Sequence, residues 1–269
     1  MMRSYGSLFR LRFNNGLQYR TAALAGVATQ FFWGMILIMV YRAFYAMADG
    51  ASMPMSLPQI VTYIWLQQAF LTFIMLWHRD NELFQLITTG NIAYELCRPT
   101  DLYTFWYAKL LAQRLSSALL RCSPILIFAW FLPSPYELSP PPDLSALILF
   151  VVSLLLGLLV LVSISMFIYI SVFYTMSPVG SLLMFNVVGE FLAGMVIPVP
   201  LMPDWLQRIV VVLPFRWTAD FPFRVFSGHI GYHEALSGIM VQLVWLICLI
   251  LLGKLAMRRA LTRVVVQGG

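Results

Sequence analysis

Uncharged apolar stretches of about one bilayer thickness recur along the chain. The first has 21 residues between Arg20 and Arg42. As a helix rising 1.5 Å per residue it would cross a hydrocarbon layer of about 30 Å. Similar stretches occupy residues 59–77 and, interrupted only by Arg121, residues 115–136. Each of these stretches predicts a membrane-spanning helix.

The longest apolar block contains 46 residues without a formal charge and ends at Glu190. A single helix of that length would measure roughly 69 Å, about twice the hydrocarbon thickness. The block must therefore fold back, and residues 174–178 (YTMSP) supply its only polar, proline-containing break. A last uncharged segment of 19 residues lies between Glu234 and Lys254.

The pattern predicts an all-α integral membrane protein with six transmembrane helices in a domain of residues 21–256. It is flanked by an N-terminal segment, 1–20, and a basic tail, 257–269. The predicted spans are at about 21–42, 58–77, 110–133, 144–173, 178–199 and 235–254.

Two segments outside the spans predict helices of another kind. In residues 1–20, aromatic and aliphatic residues recur every four positions among arginines, as in an amphipathic helix on the membrane surface. The alternative is a charged segment that only orients the first span. Residues 204–233 are aromatic but broken by prolines and charges. They predict short re-entrant or interfacial helices, with Trp205, Trp217 and several phenylalanines at headgroup depth.

Composition and charge support this reading. Hydrophobic residues make up 61% of the chain and charged residues only 10%, against about 25% charged in soluble domains. With the N-terminus inside, twelve Lys and Arg residues fall on the cytoplasmic side and four outside. This excess predicts cytoplasmic N- and C-termini in the cytoplasmic membrane. It also accounts for the net charge of +6 without nucleic-acid binding.

The chain offers little material for catalysis. A P-loop needs a Lys followed by Ser or Thr, but Leu255 follows Lys254 and Cys248 stands at the first glycine position. His229 and His233 have a spacing that could bind a metal on a helix, although neighbouring glycines favour a solvated loop. We therefore expect no catalytic, cofactor or metal residues and no enzymatic activity in this chain.

The polar segment 78–104, between the second and third predicted spans, carries more information. Asp80 or Asn81 can cap a short apolar-faced helix, and Gly90 can end it. A second short segment follows, and Thr100 or Asp101 can cap the next helix. The pattern predicts a helical hairpin. This hairpin could transmit force from a separate energy-supplying protein, or it could be an ordinary loop.

Three stretches give the chain a family resemblance: GNIAYELCRPT at 90–100, GMVIPVPLMPDWLQRIVVVLPF at 194–215 and the tail at 258–269. They resemble ABC-2 type permeases, the membrane subunits of type-2 ABC exporters. The resemblance implies a second permease subunit, identical or related, and cytoplasmic ABC ATPase subunits that hold ATP and Mg. By position it assigns the ATPase-coupling segment to Gly90, Glu95, Arg98 and Pro99. It does not identify the cargo.

Two charges lie near the middle of predicted spans, where an ionisable group costs about 2.5–3.5 kcal/mol or more. Arg121 and Glu190 either pair, within one subunit or across a dimer, or line a polar route. Pairing is favoured because it would offset both insertion costs. The polar route would suit a stand-alone ion-coupled carrier or channel, the main alternative to an exporter subunit; a lipid-modifying enzyme and a scaffold are further alternatives.

Overall fold

The computed structural model describes residues 2–18, 20–47, 53–76 and 79–263, and these ranges contain helices and no strand. In chain order the α-helices are α1 (Met2–Gly16), α2 (Arg20–Met47), α3 (Leu57–Ala69), α4 (Leu71–Ile74), α5 (Asn81–Thr88), α6 (Ile92–Leu96), α7 (Leu102–Trp130), α8 (Leu144–Thr175), α9 (Pro178–Leu192), α10 (Asp204–Val212), α11 (Asp220–Phe226) and α12 (Tyr232–Leu261).

Three helices are long and apolar enough to cross a membrane: Ala23–Met47 within α2, the whole of α8 and the whole of α12. They mark the chain as an all-helical membrane protein. The count of six spans, the identity of the membrane and the sidedness of the termini stay predictions.

The other predicted spans differ from single long apolar helices. The 58–77 span is divided into α3 and α4 by a break at Phe70. Most of the 110–133 span is the second part of the continuous helix α7, which ends at Trp130 and whose basic residues reduce its apolar character. The 178–199 span contains α9, which ends at Leu192 after 15 residues. At 1.5 Å per residue, α9 alone is about 22 Å long, shorter than a hydrocarbon layer.

The predicted break in the longest apolar block is confirmed. Helix α8 ends at Thr175, Met176 adopts a left-handed conformation with φ of 49°, and α9 begins at Pro178. Proline suits a first helical turn because its missing N–H has no partner to lose there. The polar break therefore ends one helix and begins the next.

Helix α8 is the centre of the packing. In its most apolar window 56% of residues are buried, against 28% in α2 and α12, which leave apolar side chains exposed. Helices α7, α9, α11 and α12 all pack against α8. A Cβ at Gly157 would lie 2.7 Å from the carbonyl oxygen of Thr218, so this glycine permits close approach of the segment before α11.

At the start of the chain, α1 lies along the first half of α7. A Cβ added at Gly16 would meet the Ser116 hydroxyl oxygen at 2.1 Å, and the Asp101 amide donates to the Tyr5 hydroxyl at 3.0 Å. Helix α1 falls inside the predicted 1–20 segment; its location on a membrane surface stays a prediction. In the predicted tail, α12 continues to Leu261, and residues 264–269 lie outside the described ranges.

Residues 193–231, here called the connecting segment, contain α10, α11 and 3₁₀ turns at Val199–Leu201 and Phe215–Trp217. Helix α11 packs on α8 and α3, and Trp217, Phe221 and Phe223 are buried among protein side chains. Trp205 on α10 is 65% exposed. Short helices thus form as predicted, but most of the aromatic residues contribute to the protein core.

Candidate functional site: a helical hairpin on a buried ionic base

Residues 79–101 form the α5–α6 hairpin, and local sequence signals account for its shape. The Asp80 carboxylate accepts from the amides of Glu82 and Leu83 at 2.9 and 3.4 Å, which caps α5. Gly90 follows α5 with φ of 75°, a conformation that favours glycine. The Asp101 carboxylate accepts from the Thr104 amide at 3.0 Å and so caps α7. The Asp80 and Asp101 caps and the turn at Gly90 confirm the sequence predictions.

The base of the hairpin is held by charged side chains from three helices. Lys109 Nζ on α7 lies 3.0 Å from Asp80 Oδ2 and 2.9 Å from Glu82 Oε2. Arg12 Nη2 on α1 lies 2.6 Å from the same Glu82 oxygen. Lys109 is 3% exposed, so its charge is compensated by the two carboxylates rather than by water. We call these four residues the ionic base.

A second set of contacts joins the ionic base to the protein core. Arg114, 1% exposed on α7, donates to the Met75 carbonyl oxygen at 2.5 Å and to Ser165 Oγ at 3.2 Å. The Asp80 amide donates to the Tyr169 hydroxyl at 2.8 Å, and the Tyr169 ring stacks on Phe84 with centroids 4.5 Å apart. Both Ser165 and Tyr169 are on α8, so the hairpin is connected to the central helix.

The ionic base also sets the charge state of Glu82. Burial raises its pKa, but hydrogen bonds and charge attraction from Lys109 and Arg12 outweigh that effect, and the net pKa is lowered from the usual 4.5. Glu82 is therefore ionised at neutral pH, as the two cations require.

The residues predicted to couple to an ATPase lie in the turn and second helix of the hairpin, residues 90–99, here called the tip. Glu95 Oε1 and Arg98 Nη1 form an ion pair at 3.2 Å, and the Arg98 guanidinium lies 5.4 Å from the centre of the Phe105 ring. Pro99 is exposed, and a Cβ at Gly90 would meet nothing within 4 Å. The structure thus joins Glu95 to Arg98; a role of the four predicted residues in coupling stays a prediction.

Sequence reasoning missed other residues of this site. Tyr94 and Leu96 leave an apolar surface at the tip, with 74% and 42% of each residue exposed. The charge count that orients the chain includes Lys109 and Arg114 but assigns them no partner. Their signal was visible, because a charged side chain within a long, mostly apolar helix needs a partner.

Arg121 and Glu190 are not brought together. Arg121 on α7 borders a cavity lined also by α2, α3 and α4, whereas Glu190 is on α9 with its Oε1 buried and without a hydrogen-bond partner. Among the described residues no ion pair joins them. Pairing across a dimer and a polar route both stay open.

The connecting segment has a charged centre of its own. Asp220, fully buried, accepts from the Tyr63 hydroxyl at 3.3 Å and from the Val199 amide at 3.1 Å. Arg224 Nη1 lies 3.4 Å from Asp220 Oδ2, and Arg224 Nη2 lies 3.0 Å from His229 Nδ1. This network fastens the connecting segment to α3.

The predicted solvated loop at His229 is half-buried instead. Its Nε2 lies 2.9 Å from the Pro54 carbonyl oxygen, and burial together with the Arg224 charge lowers its pKa from 6.5. Within the part of the chain that the structure describes, no three His, Cys, Asp or Glu residues come together as a metal site would require.

No protein-family model matches the chain, and no curated protein matches it significantly. The geometry of the hairpin and the residues that carry the ABC-2 resemblance are therefore the features of this chain that bear on its function.

Proposed function

We propose that this chain is the transmembrane permease subunit of an ATP-binding-cassette exporter. It would move a substrate across the cytoplasmic membrane by using ATP hydrolysed by a separate, cytoplasmic ATPase subunit. The observation that carries the proposal is the α5–α6 hairpin, whose tip is exposed while its base is fixed to three other helices.

The contacts at the base give the hairpin the mechanical property that coupling needs. A force on a loop held only by flexible backbone would be lost in local rearrangement. Here Lys109 and Arg12 connect α5 to α7 and α1, and Tyr169 connects it to α8. Displacement of the hairpin must therefore either move these helices or separate buried charges, which is strongly unfavourable.

The tip has the composition of a small protein-binding surface. Exposed Tyr94 and Leu96 supply apolar area next to the charged Arg98, and Tyr and Arg are enriched at the energetically important positions of interfaces. A groove on an ATPase is the partner we propose for this surface. A second permease subunit, as the ABC-2 resemblance implies, would complete the translocation unit.

The experiment compares two exposed aromatic residues on opposite predicted sides of the membrane. We expect Tyr94→Ala to insert and fold normally but to lose most of the substrate-stimulated ATPase activity of the assembled complex. Trp205→Ala, the matched control on the connecting segment, should retain it. Arg98→Ala should resemble Tyr94→Ala. Normal stimulation in both hairpin variants would contradict the coupling role.

The alternative is a stand-alone ion-coupled carrier or channel. Two observations favour it: Arg121 borders an internal cavity, and Glu190 has a buried carboxyl oxygen without a hydrogen-bond partner. Transport by the purified chain in liposomes, with no ATPase present, would support this alternative over the exporter. Transport that requires an added ATPase and ATP would exclude it.

A further inference from the structure

A cavity of about 590 Å³ lies between α2, the α3–α4 pair and α7. Its volume is within the range of small-molecule binding sites, about 300–1,000 Å³. Along α2 the lining runs from Gly26 to Leu37, which corresponds to roughly 17 Å of helix. Arg121 is at the Gly26 end, since a Cβ there would lie 2.7 Å from its Nη1. Trp33 and Leu37 line the cavity further along α2.

The cavity contains polar groups that the protein leaves unsatisfied. Gln30 is only 4% exposed, and neither its amide oxygen nor its amide nitrogen has a hydrogen-bond partner among the described residues. The same holds for the hydroxyl of Thr72, which is 7% exposed. Buried polar groups in native proteins are normally paired. Both residues line the cavity, where a rotated side chain could reach a bound ligand.

Arg121, which is only partly buried, adds a charge to the same cavity. Its guanidinium carries five N–H donors and cannot lose its charge in a protein, yet it forms no hydrogen bond or ion pair with any described residue. Arg114, seven residues earlier on the same helix, donates to a carbonyl oxygen and a hydroxyl. The protein thus gives Arg114 hydrogen-bond partners within the fold, whereas Arg121 faces the cavity.

We propose that this cavity binds an amphiphile with an anionic head group. A phosphate or carboxylate at Arg121 would receive the guanidinium N–H bonds, with Gln30 and Thr72 as further donors. A single hydrocarbon chain would lie along Trp33 and Leu37. This binding site does not depend on the ATPase-coupling function proposed above.

The first experiment titrates the purified full-length chain, in a neutral detergent, with dodecyl phosphate and follows its melting temperature and affinity. Dodecyl phosphate should raise the melting temperature saturably. Dodecylphosphocholine, with the same chain but a zwitterionic head, and inorganic phosphate alone should bind at least about tenfold more weakly. Equal binding of either control would overturn the proposal.

Dilauroyl phosphatidylglycerol, an anionic lipid with two chains, distinguishes a membrane lipid from a single-chain amphiphile as the natural ligand. If this lipid competes with dodecyl phosphate, the ligand class is a membrane lipid; if it does not compete, the ligand is a single-chain amphiphile. Either outcome retains the anionic site. If dodecyl phosphate itself does not bind, the proposal is wrong.

Two variants test the assigned residues. Arg121→Gln should weaken dodecyl phosphate binding by about tenfold or more, whereas Arg258→Gln, an exposed arginine on α12, should leave it unchanged. Gln30→Leu removes no described hydrogen bond, so the unliganded protein should melt at the same or a higher temperature while it binds the probe more weakly. If Arg121→Gln fails to fold, Gln30→Leu decides, and unchanged affinity in that variant contradicts the proposal.

Discussion

The α5–α6 hairpin and the connecting segment have similar architectures but differ in how closely the rest of the protein packs against them. Each contains two short α-helices and is fastened to another helix through a buried aspartate, Asp80 in the hairpin and Asp220 in the connecting segment. Asp80 contacts Lys109, which also contacts the half-exposed Glu82. Asp220 is fully buried and bonds within its own segment and to α3.

Two glycines show the difference most directly. Gly90 and Gly194 have nearly equal positive φ angles, 75° and 78°. A Cβ at Gly90 would enter open space, whereas at Gly194 it would lie 2.7 Å from the Tyr63 hydroxyl oxygen and 3.1 Å from the Asp220 Cβ. The hairpin is therefore fixed at its base and open at Gly90, while the connecting segment is packed around Gly194.

Alanine at these two glycines should give the largest contrast. Gly194→Ala combines an unfavourable left-handed conformation with overpacking and should lower the free energy of unfolding by about 3 kcal/mol. Gly90→Ala has only the conformational cost, about 1 kcal/mol. Denaturant titration of the two purified variants measures both values. Equal losses would contradict the distinction between an open tip and a packed segment.

Removal of the shared cation should weaken the hairpin base. Lys109→Met leaves Asp80 and Glu82 without their common partner and should cost about 2 kcal/mol, below the 3–5 kcal/mol of a fully buried pair because Glu82 is half-exposed. Adding Asp80→Asn to Lys109→Met should recover part of the loss. A double-mutant cycle by denaturant titration measures the coupling, and strict additivity would exclude the interaction.

A pH-dependent effect is expected in the connecting segment. Burial and Arg224 lower the pKa of His229 below its unfolded value of 6.5, so the unfolded state takes up the proton first as pH falls. The contribution of His229 to the free energy of unfolding should therefore be constant well above pH 6.5. It should decrease as pH falls below 6.5, until the folded His229 is also protonated. Melting temperatures between pH 7.5 and 5 should show a shallower decrease in His229→Gln than in the unmodified chain.

The hairpin should respond at lower pH and more weakly. The pKa of Glu82 is lowered from 4.5, so its contribution is present above that value and is lost as pH falls through the folded pKa. Solvent exposure screens this contribution. Glu82→Gln should therefore flatten the decrease in melting temperature only below about pH 4.5. An effect of this substitution on the slope between pH 7 and 6 would be contrary to expectation.

Local sequence signals predicted the parts of this structure that depend on neighbouring residues. The Asp80 and Asp101 caps, the turn at Gly90 and the break at 174–178 each involve side chain and backbone within a few positions. Such contacts follow from turn and cap chemistry alone. The sequence could therefore predict the shape of the hairpin, but not what holds it in place.

The pairings that hold the hairpin could not be predicted in the same way. Glu82 meets Arg12 across 70 positions of sequence, a contact that exists only because α1 lies along α7. The hypothesis that Arg121 pairs with Glu190 also assumes that two buried opposite charges attract each other. Among the described residues, however, no ion pair joins these two. Charge alone identifies residues that need a partner, and helix packing decides which partner each receives.

Site-specific photo-cross-linking in intact cells would show whether the hairpin contacts an ATPase, with a photoreactive amino acid at position 94 and, as control, at position 205. We expect that position 94 captures an ATP-binding-cassette ATPase, identified by mass spectrometry, and that position 205 does not. Absence of any ATPase at position 94, together with transport by the chain alone in liposomes, would contradict the assignment of the hairpin as the entry point for ATP energy.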